Sequence, residues 1–425
     1  MFLPSYLRLS TGASARLHLG GTLAVGQLIG RGAVALALLL LVRELPPGEF
    51  STLALALALA AILGTVADAG FARLLVRDTA RAEDASAWLV RELLRVRMLA
   101  VTATAFAAAV ALSVIPNPFG LAFGALVVAY LALESMALGY ENAAAGIERP
   151  WRFVLAQSIS AAALLGGLAI LILKDSMGLT PAMAVMCSAS AMKVGGHVFA
   201  WRRRSSVLEQ SGTRASVPSL FRRALPFLGL TLISTVYYKA GIIALYSLHG
   251  ASETASYAAA LRIVDAAALL TGVVFLAVSP TFSRMHRDQP QQVWSTWRRM
   301  MVVVLCVALP ALVLAGFAAE SLCAVLFGEV YRASASEDLR LMLPGVACML
   351  MQAVSAAVVF MGDRQRDALV LGSLNLVVCL VAAISLSATL GSSGAALALT
   401  LAEFVSVASF ALLIRHRYRP GHNAR

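Results

Sequence analysis

Charged residues interrupt long apolar stretches of this sequence at several positions, where a charge is costly. The basic ones are Arg31, Lys239 and Arg262, and the acidic ones are Glu134, Asp265 and Glu403. A cation in a low-dielectric environment costs at least about 2.5 kcal/mol, so it faces a wet cavity, pairs with an acid, or does both. The three bases therefore predict a cationic cavity that binds an anionic group. The alternative is a set of internal ion pairs that hold helices together.

The residues near each base help to distinguish a cavity that binds an anion from an internal ion pair. Asp265 follows Arg262 by three residues, which places both on one face of a helix and permits an ion pair. For Arg262, both interpretations stay open. Lys239 continues a polar stripe at i, i+4 spacing, and Arg31 follows a glutamine by four residues. For Lys239 and Arg31 we favour the cavity.

The acidic residues Glu134, Asp265 and Glu403 could carry protons or bind a coupling cation, as carboxylates inside membrane transporters do. They could equally serve as neutralising partners for buried basic residues. Glu134 also has an aromatic hydroxyl, Tyr130, one helical turn before it.

Other sequence motifs exclude several functions. The chain has no GxxxxGK[ST] phosphate loop, and its six histidines show no HExxH or HxxxH spacing. We therefore expect no ATP-driven transport, no metal site and no cofactor. The spacing of Gly26 and Gly30 predicts a close helix-packing face.

The composition indicates that most of the chain lies in a membrane. Hydrophobic residues make up 60% of the 425 residues, charged residues only 13%, and the mean hydropathy is +0.82. Soluble proteins carry roughly a quarter charged residues. The net charge of +12 is concentrated in short loops between apolar segments, which is typical of membrane topology and argues against nucleic-acid binding.

A membrane-spanning helix needs about 20 apolar residues, and the sequence predicts twelve. They are 18–42, 50–72, 91–114, 119–146, 151–173, 180–201, 223–248, 254–280, 296–319, 338–361, 367–389 and 393–415. At 1.5 Å per residue, the three bases named above lie roughly 12–17 Å below the outer surface, near the middle of the bilayer.

Most of the 34 basic residues fall in alternate loops, which places both termini in the cytoplasm. The longest polar, turn-rich segment is 202–222, with six predicted helices on either side. The sequence therefore predicts two six-helix lobes, residues 1–208 and 209–425, around a central cavity. Such internal repeats are common in secondary transporters, which bind substrate between the repeats.

Four segments resemble, in order and spacing, motifs of polysaccharide transporters of the Wzx type. Residues 43–71 resemble an opening R-x-L-G-P-x-x-F-G…D-x-G signature, with Ser51 in place of the glycine that follows its phenylalanine. Residues 222–284 resemble the signature that opens the second half. LFGEVY at 326–331 and MGDRQRDA at 361–368 are similar to two later motifs.

This resemblance implies a flippase of the multidrug/oligosaccharidyl-lipid/polysaccharide exporter superfamily in a bacterial inner membrane. Its substrate would be an undecaprenyl-pyrophosphate-linked repeat unit for O-antigen or exopolysaccharide, with Arg31, Lys239 and Arg262 on the pyrophosphate. Membrane lipid is an expected partner, and a polysaccharide polymerase and a chain-length regulator are further expected partners.

Two other classes stay open. One is an ion-coupled small-molecule antiporter of the same superfamily, similar to MATE transporters. The other is an integral-membrane glycan polymerase or acyltransferase, which would need a catalytic cluster in an outer loop. The longest predicted outer loop, about 320–337, is short for such a site, so we expect no enzyme.

Overall fold

The chain is all-helical in the computed structural model, which describes residues 5–71, 86–114, 117–144, 151–202, 217–362 and 364–418. Over these residues the helices are joined by loops and two short 3-10 turns, and no β-strand occurs. The predicted all-α fold is confirmed.

The described residues of the first half of the chain form six long helices. They are α1 Ser5–Glu44, α2 Pro47–Asp68, α3 Ser86–Val114, α4 Leu121–Ala144, α5 Trp151–Leu173 and α6 Leu179–Arg202. Each contains, or nearly coincides with, one predicted span. The helices that extend beyond the prediction do so because helical hydrogen bonding continues into polar segments that a search for apolar runs omits.

The second half begins with α7 Val217–His249, α8 Ala251–Asp288 and α9 Val293–Phe317, followed by a short helix, Ala319–Phe327, and by α10 Ser334–Met361. The last helical stretch, Gln365–Tyr418, is interrupted at Gly391, whose φ is 60° and ψ is −135°. We therefore treat it as two helices, α11 over 365–390 and α12 over 392–418. This interruption confirms the predicted break between 389 and 393.

Glu253 of α8 stabilises this break between α11 and α12. Its Oε2 accepts a hydrogen bond of 2.8 Å from the backbone N–H of Ser392, the residue that begins α12. A carboxylate at a helix N-terminus satisfies a free N–H and interacts favourably with the helix dipole. A side chain on Gly391 would place its Cβ 2.6 Å from that same carboxylate oxygen, so the site requires glycine for space as well as for backbone conformation.

Within the described part of the chain, ten helical stretches are long and apolar enough to cross a membrane. One of them, Arg366–Tyr418, contains both α11 and α12, and α6 is not among the ten. The helix α6 is 24 residues long but carries Lys193, His197 and several hydroxyl side chains, which lower its hydropathy. The described long helices thus match the predicted twelve, and the protein is a multi-pass membrane protein.

Contacts between residues divide the chain into two compact units. The N-terminal unit comprises residues 1–45 and 59–232, and the C-terminal unit comprises residues 46–58 and 233–425. The first part of α2 therefore belongs with the second half of the chain. The boundary at residue 208 stays a prediction about functional lobes.

Glycines allow close helix packing in the N-terminal unit. A Cβ at Gly26 would lie 2.6 Å from the ring of Phe153 on α5, and a Cβ at Gly30 would collide with the side-chain amide of Gln157. The predicted packing face of α1 is therefore confirmed, with α5 as its partner. Helix α5 in turn approaches α6 closely at Gly196, which faces Ala156.

The C-terminal unit is built around α10, the most buried of its membrane-length helices. Its apolar side chains pack against α8 on one side and against α11 and α12 on others, as in the cluster of Phe282, Val354, Val358 and Ile414. One of its polar groups is paired across helices, since the Ser256 hydroxyl on α8 donates to Asp338 Oδ2 at 2.8 Å.

Candidate functional site

Two of the predicted basic residues lie together with one predicted acid in the C-terminal unit. Arg262 on α8 forms an ion pair with Asp265, with 3.3 Å between Nη1 and Oδ2. Its Nε also donates to the carbonyl oxygen of Ala258. The Arg262 side chain is 11% exposed and that of Asp265 is 41% exposed. The ion pair that the i, i+3 spacing permitted is therefore present.

Lys239 on α7 adds a second cation to this group. The charges that act on its ammonium are those of Asp265 and Arg262. The side chain is half-buried, and among the described residues none forms a hydrogen bond or an ion pair with it. Two cations with a single carboxylate leave an excess positive charge of one. We refer to Lys239, Arg262 and Asp265 as the C-unit cation cluster.

Arg31 belongs to the N-terminal unit, on the apolar segment Val25–Glu44 of α1. Its side chain is exposed at the surface of the unit, and no residue in the described ranges forms an ion pair with it. An exposed guanidinium within a membrane-length helix needs an aqueous or anionic environment. Arg31 is therefore available to an external anion.

Glu134 occupies a different environment from the other predicted acids, because it pairs with a lysine. Glu134 Oε2 lies 2.7 Å from Lys193 Nζ on α6, and Glu134 Oε1 accepts a hydrogen bond of 2.5 Å from the Ser190 hydroxyl. Glu141, two turns after Glu134 on α4, lies 3.7 Å from the same ammonium and accepts a hydrogen bond from Gln157 Nε2. We refer to Glu134, Glu141 and Lys193 as the N-unit triad.

The N-unit triad was not predicted as a site, although the sequence contained a signal for it. Glu134 and Glu141 are seven residues apart and share one helix face, and Ser190 and Lys193 share a face of α6. What the sequence could not supply was the proximity of α4 to α6, which are separated by α5 along the chain.

Glu134 and Lys193 of the triad line a pocket between α1, α4, α5 and α6. Its empty volume is about 350 Å³, including its open mouth. Polar side chains line one part of it, and small or aliphatic side chains line the rest. The polar ones are Tyr130, Glu134, Gln157, Ser160, Ser190 and Lys193.

A fully buried ion pair lies elsewhere in the same unit. Arg97 Nη1 on α3 lies 2.8 Å from Asp68 Oδ1 at the end of α2, and the two side chains are 2% and 9% exposed. Asp68 is the acid of the D-x-G motif, and Gly70 of that motif has a φ of 79°. A Cβ at Gly70 would collide with the backbone of α7 at Ala224, so this motif fixes packing rather than binding.

Glu403 on α12 is buried, with 3% of its surface exposed. The hydroxyls of Tyr237 and Tyr238 lie beside its carboxyl group, but Oε1 has no hydrogen-bond partner among the described residues. No described cation pairs with it. Both roles considered for Glu403, a group that exchanges a proton or a cation and a partner for a buried base, therefore stay predictions.

Over the described residues, no group of three or more histidine, cysteine, aspartate or glutamate side chains is placed to hold a metal ion. The C-terminal unit contains two candidate sites, the C-unit cation cluster and Glu403. The N-terminal unit contains Arg31 and the N-unit triad.

Residues 20–286 match the sequence profile of a family described as polysaccharide biosynthesis protein. No curated protein sequence gives a significant match.

Among solved structures, the chain is similar to a multidrug resistance MATE family transporter of the MOP superfamily in an inward-facing conformation. The identity is 14%, the match covers 96% of this chain and 98% of the other, and the TM-score is 0.72. It is also similar to the lipid II flippase MurJ in an inward closed conformation, at 12% identity, with 92% and 87% covered and a TM-score of 0.71. A MOP superfamily transporter from Pyrococcus furiosus matches at 13% identity, with 95% and 96% covered and a TM-score of 0.61. These likenesses establish the fold.

Proposed function

Because this chain belongs to the polysaccharide biosynthesis protein family, we propose that it is a flippase for an undecaprenyl-pyrophosphate-linked oligosaccharide. It would move this repeat unit across the bacterial inner membrane for the synthesis of O-antigen or exopolysaccharide. The observation that supports this most directly is the pair of membrane-embedded cations, Arg31 and Lys239, that lack an ion-pair partner among the described residues.

A pyrophosphate has the charge that these residues would match. It carries about two negative charges, and hydrogen bonds between charged groups are roughly twice as strong as neutral ones. The C-unit cation cluster has an excess charge of one, and Arg31 carries a further positive charge without an ion-pair partner among the described residues. We assign Arg31, Lys239 and Arg262 to the pyrophosphate, with Asp265 orienting Arg262.

The similarity to a lipid II flippase supports a lipid-linked substrate of this kind. The prenyl chain would remain in lipid while the polar head passes through the protein, which would alternate between inward-open and outward-open states.

The membrane potential can drive this movement. The cell interior is negative, so outward movement of negative charge releases about 2.3 kcal/mol per charge per 100 mV. Glu134, Asp265 and Glu403 are proposed as the groups that balance charge or exchange a coupling proton or cation. Both termini lie in the cytoplasm in this proposal, and a polysaccharide polymerase and a chain-length regulator are its partners.

The test replaces Arg31 and Lys239, because neither forms an ion pair with a described residue and no such pair is lost in the variants. We expect Arg31→Gln and Lys239→Gln each to lower surface glycan at least about tenfold in cells that depend on this protein. The reason is that a hydrogen bond to a charged group contributes about 1.5–3 kcal/mol, which is tenfold or more in affinity.

The matched control is Arg340→Gln, because Arg340 pairs with Glu320 at an exposed site, with 45% and 49% of the two side chains exposed. Such an exposed pair contributes little to the free energy of unfolding, so surface glycan should change less than about twofold in this variant. Full surface glycan in both test variants, at wild-type protein level, contradicts the pyrophosphate assignment.

A MATE-like ion-coupled antiporter of small molecules is the second candidate, favoured by the likeness to MATE transporters over almost the whole chain. Cationic drugs would be repelled by the excess positive charge of the C-unit cation cluster. Increased drug susceptibility of a deletion strain with unaltered surface glycan would favour this candidate.

An integral-membrane polymerase or acyltransferase is the least favoured alternative, and we propose that the chain is not an enzyme. The longest predicted outer loop, about 320–337, contains most of the short helix Ala319–Phe327 and a 3-10 turn at Glu329–Tyr331. This leaves little chain for a sugar-binding catalytic site.

A further inference from the structure

Four helix ends meet at one end of the C-terminal unit, on the side that the loop charges predict to be cytoplasmic. They are the C-terminal ends of α8 and α12 and the N-terminal ends of α9 and α11. All four contribute to one apolar cluster, whose buried residues include Phe282, Trp297, Ala368 and Ile414. The end of α8 also contacts the end of α12, since His286 Nε2 lies 3.0 Å from the Tyr418 hydroxyl. The side chains on the outside of these ends therefore belong to one surface.

This surface is strongly basic. The described residues of the four ends are 281–299, 364–367 and 415–418, and they contain eight arginines but only two aspartates. Asp288 pairs with Arg287, and Asp367 pairs with Arg364. The other six arginines are exposed and form no ion pair with a described residue. We refer to them as the C-unit basic surface, which comprises Arg284, Arg298, Arg299, Arg366, Arg415 and Arg417.

Two of these arginines continue an exposed apolar row of their own helix. Among the described membrane-length helices α9 is the least buried. Steps of three or four residues from Arg298 lead along its exposed side through Val302, Leu305, Leu309, Val313 and Phe317. The same steps from Arg366 on α11 lead through Val370, Leu374, Val377 and Val381, each more than half exposed. At 1.5 Å per residue the row on α9 is about 22 Å long, which is enough for an acyl chain in a hydrocarbon leaflet of roughly 15 Å.

Two tryptophans mark the depth of Arg298 and Arg299 in the membrane. The rings of Trp294 and Trp297 are stacked, with 5.1 Å between their centroids, and Trp297 Nε1 donates to the Ser355 hydroxyl at 3.1 Å. Tryptophan is enriched where a helix passes from hydrocarbon into the headgroup layer. The two arginines follow Trp297 directly in the sequence, so we expect their guanidinium groups at the level of the lipid phosphates.

The combination of cations and apolar rows selects the chemistry of a ligand. A free phosphate or an acidic peptide could bind the arginines but would leave the apolar rows unused. A neutral lipid could cover the rows but would leave the guanidinium groups without a counter-ion. A lipid with an anionic phosphate uses both, and arginine binds phosphate through paired, charge-assisted hydrogen bonds.

From these observations we propose that the C-unit basic surface binds an anionic phospholipid of the adjoining leaflet. The phosphate would contact Arg298 and Arg299, and an acyl chain would follow the exposed row of α9. This inference concerns a lipid that stays with the protein and not the lipid that is moved, so it goes beyond the proposed flippase function and does not depend on it. Because four helix ends form the surface, a bound lipid would hold them together and stabilise the C-terminal unit.

The experiment measures lipid binding by the purified full-length protein in micelles of a neutral detergent. The probes are phosphatidylglycerol, phosphatidylcholine with the same acyl chains, and glycerophosphoglycerol, which is the anionic headgroup without acyl chains. We expect phosphatidylglycerol to bind at least about tenfold more tightly than either of the others and to raise the midpoint of thermal unfolding. The double variant Arg298→Gln, Arg299→Gln should bind phosphatidylglycerol about 10- to 30-fold more weakly, since each basic residue beside an anionic lipid contributes to its affinity. Its binding of phosphatidylcholine should be unchanged, which also shows that the variant is folded.

The matched control is the double variant Arg332→Gln, Arg340→Gln. It removes the same charge from two exposed arginines, with 53% and 45% of their side chains exposed, that lie before and near the start of α10 and outside the four helix ends. The affinity for phosphatidylglycerol should change less than about twofold. Equal weakening by the two double variants overturns the proposal, because net charge alone would then explain the binding. Equal affinity of the wild type for phosphatidylglycerol and phosphatidylcholine also overturns it and favours a soluble acidic partner, and binding of glycerophosphoglycerol as tight as that of phosphatidylglycerol excludes a role for the apolar row.

Discussion

Lys193 shows how a single charge is accommodated inside a membrane protein. Its side chain is 12% exposed, and it is held by one carboxylate at 2.7 Å and approached by a second at 3.7 Å. With both acids ionised the N-unit triad has a net charge of −1. Loss of the lysine would leave the Glu134 carboxylate on α4 without its ion-pair partner, which is costly in a low-dielectric environment.

At the residue scale, we expect Lys193→Met to lower the midpoint of thermal unfolding of the purified protein. Removal of one partner from a fully buried ion pair costs about 3–5 kcal/mol, and the cost here should be smaller because 34% of the Glu134 side chain is exposed. Adding Glu134→Gln to Lys193→Met restores the original net charge of the triad and should recover part of the loss.

The measurement is thermal unfolding of the wild type, both single variants and the double variant in the same detergent. The coupling between the two positions is the difference between the double variant and the sum of the single ones. Additive effects would contradict a direct interaction between Lys193 and Glu134.

The six predicted site residues show what sequence reasoning can supply at this scale. The i, i+3 spacing of Arg262 and Asp265 predicted their ion pair because both lie on one helix. The partner of Glu134 could not be predicted, since Lys193 is on a helix whose position depends on tertiary packing. The buried ion pair of Arg97 and Asp68 could not be predicted either, because the two residues are on different helices.

At the scale of the elements, the joint between α11 and α12 is the most specific feature of the C-terminal unit. Gly391 has a backbone conformation that side chains rarely adopt, and Glu253 holds the first free N–H of α12. The strain and the cap occur at the same place, so the direction of α12 depends on one glycine and one carboxylate.

We expect Gly391→Ala to lower the free energy of unfolding by roughly 1–3 kcal/mol, from the cost of the backbone conformation, with a further cost from contact with Glu253. The matched control is Gly272→Ala on α8, where an added Cβ would have nothing within 4 Å. Because alanine favours helix more than glycine, the control should be neutral or slightly stabilising. A fall in the unfolding midpoint with Gly272→Ala that equals the fall with Gly391→Ala would contradict the special role of this joint.

Apolar runs of about 20 residues were sufficient to locate the helices. A helix needs that length to cross the membrane, and a segment in lipid must satisfy its own backbone hydrogen bonds, which favours the helix over other conformations. The same physics predicted the break near residue 391, where Gly391, Ser392 and Ser393 interrupt the apolar pattern. It could not predict that α2 would be shared between two compact units, since this depends on side-chain packing along its length.

At the scale of the whole molecule, the distribution of basic residues sets the expected orientation. The loop between α5 and α6 contains an exposed Ser176, and the segment between α8 and α9 contains an exposed Gln291. Three helices, α6, α7 and α8, lie between these positions, so the two must lie on opposite sides of the membrane if each helix spans it once.

We expect Ser176→Cys to react with a membrane-impermeant maleimide added to intact cells. Gln291→Cys should react only after the inner membrane is permeabilised, because arginines crowd its end of α8 and α9. The native cysteines are accounted for by labelling of the unsubstituted protein. Labelling of both positions from the same side would contradict α6 as a membrane-spanning helix.

The weak hydropathy of α6 has a consequence for biogenesis. A lysine at the centre of a helix opposes release from the translocon into lipid by about 2.5–3.5 kcal/mol. Its counter-ion, Glu134, lies on α4, which the ribosome makes earlier, and the loop that joins α5 to α6 spans only 174–178. Insertion of α6 therefore depends on helices that are already in place, and the order of synthesis becomes part of how this protein is assembled.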